Sequence, residues 1–389
     1  MAFENPMAEI SPAMLARFHI AEEDRAPMVE ALERLSDALA AEGLTPLGRD
    51  RVAKYVNTQL GRLDALTQDR ARYPEIAEVQ VSTPIVIAGA PRSGTTFIHS
   101  LLSQDPQHRS PLTWEVEFPS PPPQGAHLED DPRIERWIAL QSGPDATYTK
   151  DLRNPEIQKK HLIGALLPEE CGGMISAMLR SPTGIWALAR ATPYNDWVYE
   201  TQMGLAYRLH RRWLQHLQWR SARNYWLLKY PMHAYALPQL TAEYPHALVI
   251  QTHREPEEIV SSLASLIGTL REGAFETDDD DALGREMLEV QAQGLDRSLA
   301  YRRQPGARAV VDVGYRELLD DPMAVVARIY DQLGVPLTAE AETRMTTFLR
   351  KNPQGKAGHH SHGLAAYGLT VDAVRERTKA YREAFEHLL

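Results

Sequence analysis

Apolar residues recur every three to four positions through the first eighty residues of the chain. Met28, Leu32, Leu35 and Leu39 form one stripe, closed by Gly43; Val52, Val56, Leu60, Leu63 and Leu66 form a second. That period predicts two amphipathic helices. Neither carries side chains suited to chemistry. Residues 1–80 therefore read as a helical segment that covers a flank of the sheet or a partner subunit, plain packing being the simpler use. At Ile85–Ala88 the pattern changes to an unbroken apolar run, as in a strand buried on both faces. Comparable runs occupy Tyr225–Lys229, Ala247–Thr252 and Ala309–Val313. The first precedes a helical pattern that runs to Gln104 and stops before Asp105-Pro106. The third precedes a helix opened by Pro256, with Glu257 and Glu258 in its first turn and Ile259, Leu263, Leu266 and Leu270 as its buried stripe. The fourth precedes a helix opened at Asp321-Pro322 and closed at Gly334. Strand and helix alternating in this way predict a three-layer α/β fold with a central parallel sheet.

Other stretches fall outside that rhythm. Residues 114–225 read as a mostly helical insertion, so the chain divides into a helical segment 1–80 and an α/β domain 81–389 that carries the insertion. The prolines of Pro119-Ser120-Pro121-Pro122-Pro123 forbid regular structure there. All seven tryptophans lie between Trp114 and Trp226, and Arg208, Arg211, Arg212 and Arg220 are interleaved with Trp213 and Trp219. Two uses stay open for them: an aromatic-lined acceptor pocket, or filling the junction between insertion and sheet. The acidic run 276–281 reads as a solvated loop. Residues 350–368, with Lys356, His359, His360 and His362, read as a basic lid over an anionic ligand, followed by a final amphipathic helix.

Composition narrows the classes of function. Among 389 residues, 43% are hydrophobic and 24% charged, as in a soluble globular protein. A net charge of −10 argues against a nucleic-acid or anionic-membrane surface, so a polyanionic ligand must be held by local cations. One cysteine, Cys171, rules out an internal disulfide and fits a reducing, cytoplasmic compartment. It reads as structural. Neither a secretory leader nor an apolar run long enough for a membrane span is expected.

The chemistry concentrates where apolar runs end. After Ile85–Ala88 comes Gly89-x4-Gly94-Thr95-Thr96, a strand, tight loop and helix start that aims backbone N–H groups at one point. The spacing is that of a phosphate-binding P-loop with one change. Thr95 stands where the phosphate-reaching lysine belongs, Thr96 keeps the hydroxyl, and Arg92 is the loop's only cation. The second run ends at Lys229, with His233 beyond it; the third ends at Arg254, with Ser262 in the helix that follows. A parallel sheet gathers such ends on one edge.

Pro91-Arg92-Ser93-Gly94-Thr95-Thr96 resembles the 5′-phosphosulfate loop of sulfotransferases that use 3′-phosphoadenosine 5′-phosphosulfate (PAPS). Arg254-x7-Ser262 resembles that family's 3′-phosphate site. Leu227-Leu228-Lys229-x3-His233 is similar to its segment bearing a lysine and a catalytic histidine, with a spacing of four in place of two. Tyr315-Arg316-Glu317-Leu318 looks like its Tyr-Glu-Asp-Leu segment, whose tyrosine approaches the nucleotide. The resemblance spans residues 83–365. It implies PAPS as co-substrate, held by Arg92, Ser93, Gly94, Thr95, Thr96, Arg254, Ser262, Tyr315 and Lys356. It implies catalysis by Arg92 and Lys229, with His233 as first choice of general base and Glu115 as second. No metal is expected, because a sulfuryl group carries less charge than a phosphoryl group. The expected acceptor is a small molecule with a hydroxyl or amine, such as a lipid or secondary metabolite. A homodimer through the amphipathic helices has room in this reading. Two rivals remain: a P-loop kinase or NTPase, with Asp312 as its partial acid candidate, and a nucleotide-binding module without catalysis.

Overall fold

The computed structural model describes residues 10–125, 128–143, 146, 152–153, 163–277, 279–353 and 363–389. The two N-terminal stripes become α1 (Glu22–Ala40) and α2 (Pro46–Arg72). The Thr45 hydroxyl caps α2 by accepting the Gly48 N–H at 3.1 Å, and Pro46 fills the first turn, where no N–H is needed. Met28, Leu32, Leu35, Val56, Leu60 and Leu63 are buried in one apolar cluster with Tyr194, Trp197 and Leu237. The chain's own core thus covers most of both stripes, with Leu39 partly buried at its edge.

The sheet begins with β1 (Pro84–Gly89), which leads through the Gly-rich loop into α3 (Thr95–Leu102). An edge strand β2 (His108–Arg109) and a short α4 (Thr113–Glu117) precede the insertion, which ends in α5 (Met203–Gln218). Then follow β3 (Tyr225–Lys229), β4 (Leu248–His253) and α6 (Pro256–Arg271). The chain closes with α7 (Asp280–Arg302), β5 (Val310–Gly314), α8 (Pro322–Leu333), α9 (Ala339–Lys351), α10 (Val371–Arg377) and α11 (Lys379–Phe385). Five strands in the order β2-β3-β1-β4-β5 pair in parallel throughout. Neighbouring residues of a strand face opposite ways. Ile85, Ile87, Leu227 and Ile250 pack with Ile98 and Leu101 of α3 and Ile329 of α8, while Val86, Ala88, Leu228 and Val249 join the larger cluster on the other face. Helices on both faces make the three layers.

The chain runs from β1 to β2 and β3 on one side and then crosses past β1 to β4 and β5 on the other, so the crevice at the carboxyl end of β1 is the sheet's switch point. Register brings the strand ends together there: Ile87 pairs with Lys229, Gly89 with Thr252, and His253 with Gly314. Gly89 has φ +133, and a Cβ on it would lie 2.7 Å from the Thr252 carbonyl oxygen. Only glycine lets the two strands close at this point.

Several expectations change. The acidic run is no loop at its end: Asp279 caps α7, its carboxylate accepting the Ala282 N–H at 2.8 Å, and Asp280 and Asp281 form the first turn. All seven tryptophans are buried, and none lines the cleft or the recess at the sheet's switch point; Trp186 borders a separate cavity of about 240 Å³. The interleaved arginines are engaged internally. Arg212 pairs with Asp24 at 2.7 Å, Arg211 with Glu243, and Arg220 lies 3.9 Å over the Trp219 ring. The final helix is broken at Thr378. Lys356, His359, His360 and His362 lie outside the described residues. No helix among the described residues is long and apolar enough to cross a membrane.

Because α2 is part of the main core, Leu60→Ala is expected to cost about 2–5 kcal/mol of global stability. Urea denaturation checks this; an unchanged midpoint would show that α2 folds apart from the rest.

Candidate functional site

The loop after β1 is shaped from within. Ser93 is buried, and its hydroxyl donates to the Ala90 carbonyl and shares a hydrogen bond with Thr252, both at 2.6 Å. Arg92 takes a left-handed φ of +69 and Gly94 a φ of +95. A side chain at Gly94 would run into the Tyr315 ring, 2.9 Å from the expected Cβ. Holding a non-glycine residue at positive φ stores strain of about 1–3 kcal/mol. The geometry turns the N–H groups of the first turn of α3 outward, where no intrahelical acceptor exists.

Two arginines converge on this loop. Arg92 Nε donates to the Ser262 hydroxyl of α6 at 3.0 Å. Arg254, just past β4, donates from Nη1 to the Arg92 carbonyl at 2.8 Å and from Nε to Glu258 at 2.8 Å. Its guanidinium lies 4.2 Å over the Tyr315 ring. Burial, and after it the Arg254 charge, push the Arg92 pKa down, which marks a local excess of positive charge. From the other side Lys229, almost fully buried, brings Nζ within 3.4 Å of the Thr96 hydroxyl and forms an ion pair with Glu170. The missing loop lysine is thus replaced by one from the neighbouring strand.

These groups open on a cleft of about 1080 Å³. Arg92, Gly94, Thr95, Thr96, Arg254 and Tyr315 line one end; Leu112, Leu166, Leu167 and Pro168 line another. A contiguous recess beside Thr96 and Ser100 holds Lys229, Glu169, Glu170 and Thr113. Phe97, in the first turn of α3, faces the cleft with Tyr315.

Two predicted site residues are not brought here. His233 begins no open turn: Pro231–Ala236 forms a fully buried 3-10 helix. Its Nδ1 shares a hydrogen bond with the Tyr207 hydroxyl at 2.7 Å, and its Nε2 has no partner among the described residues. Burial, helped by His210, lowers its pKa well below the usual 6.5. Glu115 is also completely buried. It takes both ends of the Arg109 guanidinium at 2.8 and 2.6 Å and accepts the Leu112 N–H at 2.9 Å, capping α4. Neither residue lines the cleft or the recess. His99, one turn into α3, packs against the Leu227 carbonyl, and burial with the nearby Lys229 charge lowers its pKa to about 3.

Sequence reasoning missed Glu170 and Phe97. Glu170 arrives through main-chain pairing, because the Cys171 N–H donates to the Lys229 carbonyl at 2.9 Å. The available signal was the acidic pair before Cys171-Gly172-Gly173. Cys171 itself is buried, and burial pushes its thiol pKa far up, so it is inert. Asp312 does not face the loop. It bonds His253 at 2.8 Å and Arg302, and these hydrogen bonds overcome burial to hold its pKa at about 2.

A cradle of backbone N–H groups at the switch point of a parallel sheet, with cations from the flanking strands, defines a P-loop-like fold whose site suits an anion. The family follows from comparison with known proteins. The model of the Sulfotransferase family matches residues 84–339, and the chain belongs to that family. The crystal structure of sulfotransferase STF9 from Mycobacterium avium superposes with a TM-score of 0.83 at 29% identity, over 96% of this chain and 95% of that one. That of STF1 from Mycobacterium tuberculosis H37Rv gives 0.77 at 32% identity, over 95% and 96%. Omega-hydroxy-beta-dihydromenaquinone-9 sulfotransferase Stf3 of Mycobacterium bovis is 24% identical over 338 residues, 82% of this chain and 77% of that protein. The chain is a sulfotransferase.

The buried histidines give the fold a pH dependence. Burial lowers the pKa of both His99 and His210 to about 3, while an unfolded histidine titrates near ~6.5. Below that value the unfolded chain binds more protons, so stability is complete above it and is lost as the pH falls toward the folded pKa. The two together are expected to remove about 3 kcal/mol between roughly pH 7.5 and 5.5. Urea midpoints at the two pH values check this; equal midpoints would contradict it.

Proposed function

We propose that this sulfotransferase takes its sulfuryl group from PAPS and passes it to the hydroxyl of a small, largely apolar acceptor. The observation that carries the reading is the joining of two anion-binding corners: Arg254 bonds the carbonyl of Arg92, and Arg92 bonds Ser262. A donor with phosphates on both the 5′ and 3′ sides of one ribose matches such paired corners. The loop from Arg92 to Thr96 takes the 5′-phosphosulfate. Arg254 and Ser262 take the 3′-phosphate, and Tyr315 stacks beside Arg254. Ser93 contributes by shaping the loop.

Arg92, the N–H groups of Gly94, Thr95 and Thr96, and Lys229 stabilise the charge that grows on the leaving phosphate oxygen. Preorganised donors of this kind contribute about 3–4 kcal/mol each. Glu170 is the general base in this reading, in place of His233 and Glu115. Its carboxylate is partly open to the recess and is tied to the lysine that reaches the phosphate loop. As the acceptor oxygen bonds sulfur, its proton passes to Glu170. The bond from sulfur to the bridging oxygen breaks, and adenosine 3′,5′-bisphosphate departs with the electron pair. With two guanidiniums and an ammonium for a weakly charged migrating group, the reaction has no need of a divalent metal. His233 and Glu115 act as core residues.

For the acceptor, support comes from Leu112, Leu166, Leu167 and Pro168 along the cleft, with Leu166 47% exposed. The relative Stf3 is named for a hydroxylated menaquinone. A lone buried cysteine fits action in the reducing cytoplasm.

Calorimetry without Mg²⁺ is expected to show adenosine 3′,5′-bisphosphate binding at least about tenfold more tightly than ATP, since one more charge-assisted phosphate contact contributes about 1.5–3 kcal/mol. Tighter binding of ATP, dependent on Mg²⁺, would favour a kinase instead. Glu170→Gln should lower kcat by about 10²–10⁴-fold and change bisphosphate affinity little. Turnover at the wild-type rate would remove Glu170 from the base role.

A further inference from the structure

The corner that carries Arg254 is held from behind by the last two helices. Tyr381 of α11 hydrogen-bonds His253 Nδ1 at 2.8 Å, and His253 Nε2 lies 2.8 Å from Asp312. An ionised Asp312 can only accept, so Nε2 carries the proton and Nδ1 accepts from the Tyr381 hydroxyl. The chain of donors runs in one direction, from Tyr381 through His253, the residue before Arg254, to Asp312, which Arg302 anchors in turn.

Charge ties the rest of the corner. Arg382 pairs with Glu255 and, at 3.1 Å, with Glu257. Arg375 pairs with Glu257 at 2.8 Å. Residues 253, 255 and 257, on either side of Arg254, each have a partner in α10 or α11. The apolar side of the contact is local as well. Tyr381 and Phe385 are buried with Ala90, Ile259, Leu295 and Leu299 in a small cluster separate from the two larger ones. Ala90 belongs to the phosphate loop and Ile259 to the first turn of α6, so this packing supports the loop and the arginine corner together. The Phe385 ring lies 4.2 Å from that of His253.

We propose that α10 and α11 form a strap that fixes the height and direction of Arg254, with Tyr381 and Arg382 as its positioning residues. Neither side chain is among those lining the nucleotide end of the cleft. They act through the main chain on either side of Arg254. The inference rests on reading Arg254 as the 3′-phosphate ligand. A strap that only stabilised the fold would affect all ligands alike. One that aims Arg254 affects the ligands that carry a 3′-phosphate.

The test compares adenosine 3′,5′-bisphosphate with adenosine 5′-monophosphate by calorimetry on the full chain. Tyr381→Phe keeps the ring and removes one hydroxyl; Arg382→Ala removes the tie to Glu255 and Glu257. Each is expected to weaken bisphosphate binding about tenfold and monophosphate binding less than about twofold. Retained monophosphate affinity shows that the variant is folded. Unchanged bisphosphate affinity in both variants, or equal weakening of both ligands, overturns the strap. Arg254→Ala serves as the reference that should lose the preference for the bisphosphate. If the wild type shows no such preference, or Arg254→Ala retains it, the 3′-phosphate reading fails and the strap falls with it.

Discussion

Arg254 donating to the carbonyl of Arg92 is the contact on which the site depends. It holds two guanidiniums together at the end of β1. Like charges brought close and partly desolvated raise the free energy of the empty site, and the lowered pKa of Arg92 reflects that. The left-handed backbone of Arg92 adds strain in the same place. Glu258 offsets part of the Arg254 charge, and a bound anion would relieve the remaining repulsion between the guanidiniums. The rest of the fold over-determines this corner: the Gly89–Thr252 closure from the sheet, Ser262 from α6, and Tyr315 from the end of β5.

The absence of the usual loop lysine changes what the loop can do. In its place Lys229 rises from β3, next to Thr96 on one side and Glu170 on the other. A lysine in the loop itself serves the donor alone. One on the adjacent strand touches both the donor's cradle and a carboxylate facing the recess. In the proposed reaction, charge leaving the donor and the proton leaving the acceptor are answered by one connected pair. That arrangement suits the transfer of a weakly charged group to a neutral hydroxyl, where bond breaking and proton removal are coupled across a short distance.

Much of this was legible in the sequence. The buried strands declared themselves as apolar runs, and Gly89, Arg92, Gly94 and Thr96 declared the cradle, because backbone geometry demands particular residues there. Arg254 was legible as the residue just past an apolar strand, whereas Ser262, inside the following helix, entered only through the resemblance to the sulfotransferase 3′-phosphate site. What failed was whatever tertiary packing decides. The helix α7 escaped because its buried face includes Gly284, Gln291, Gly294 and Ser298, glycines being required where Gly294 meets the Tyr235 ring. His233 looked exposed after a strand end, but Pro231 starts a 3-10 turn that rotates it into the core. Glu115 looked free, and its partner Arg109 lay in a two-residue strand too short to recognise. Glu170 had no local signature, because only the bond from Cys171 to Lys229 carries it to the site.

The most direct measurement of the central claim is a crystal structure of the full chain with adenosine 3′,5′-bisphosphate. The account predicts the 5′-phosphate on the N–H groups of Gly94 to Thr96 beside Arg92 and Lys229. It predicts the 3′-phosphate within hydrogen-bond distance of Arg254 and Ser262, with the Arg254 to Arg92 contact intact. A nucleotide seated elsewhere, or one whose 3′-phosphate touches neither Arg254 nor Ser262, would contradict it.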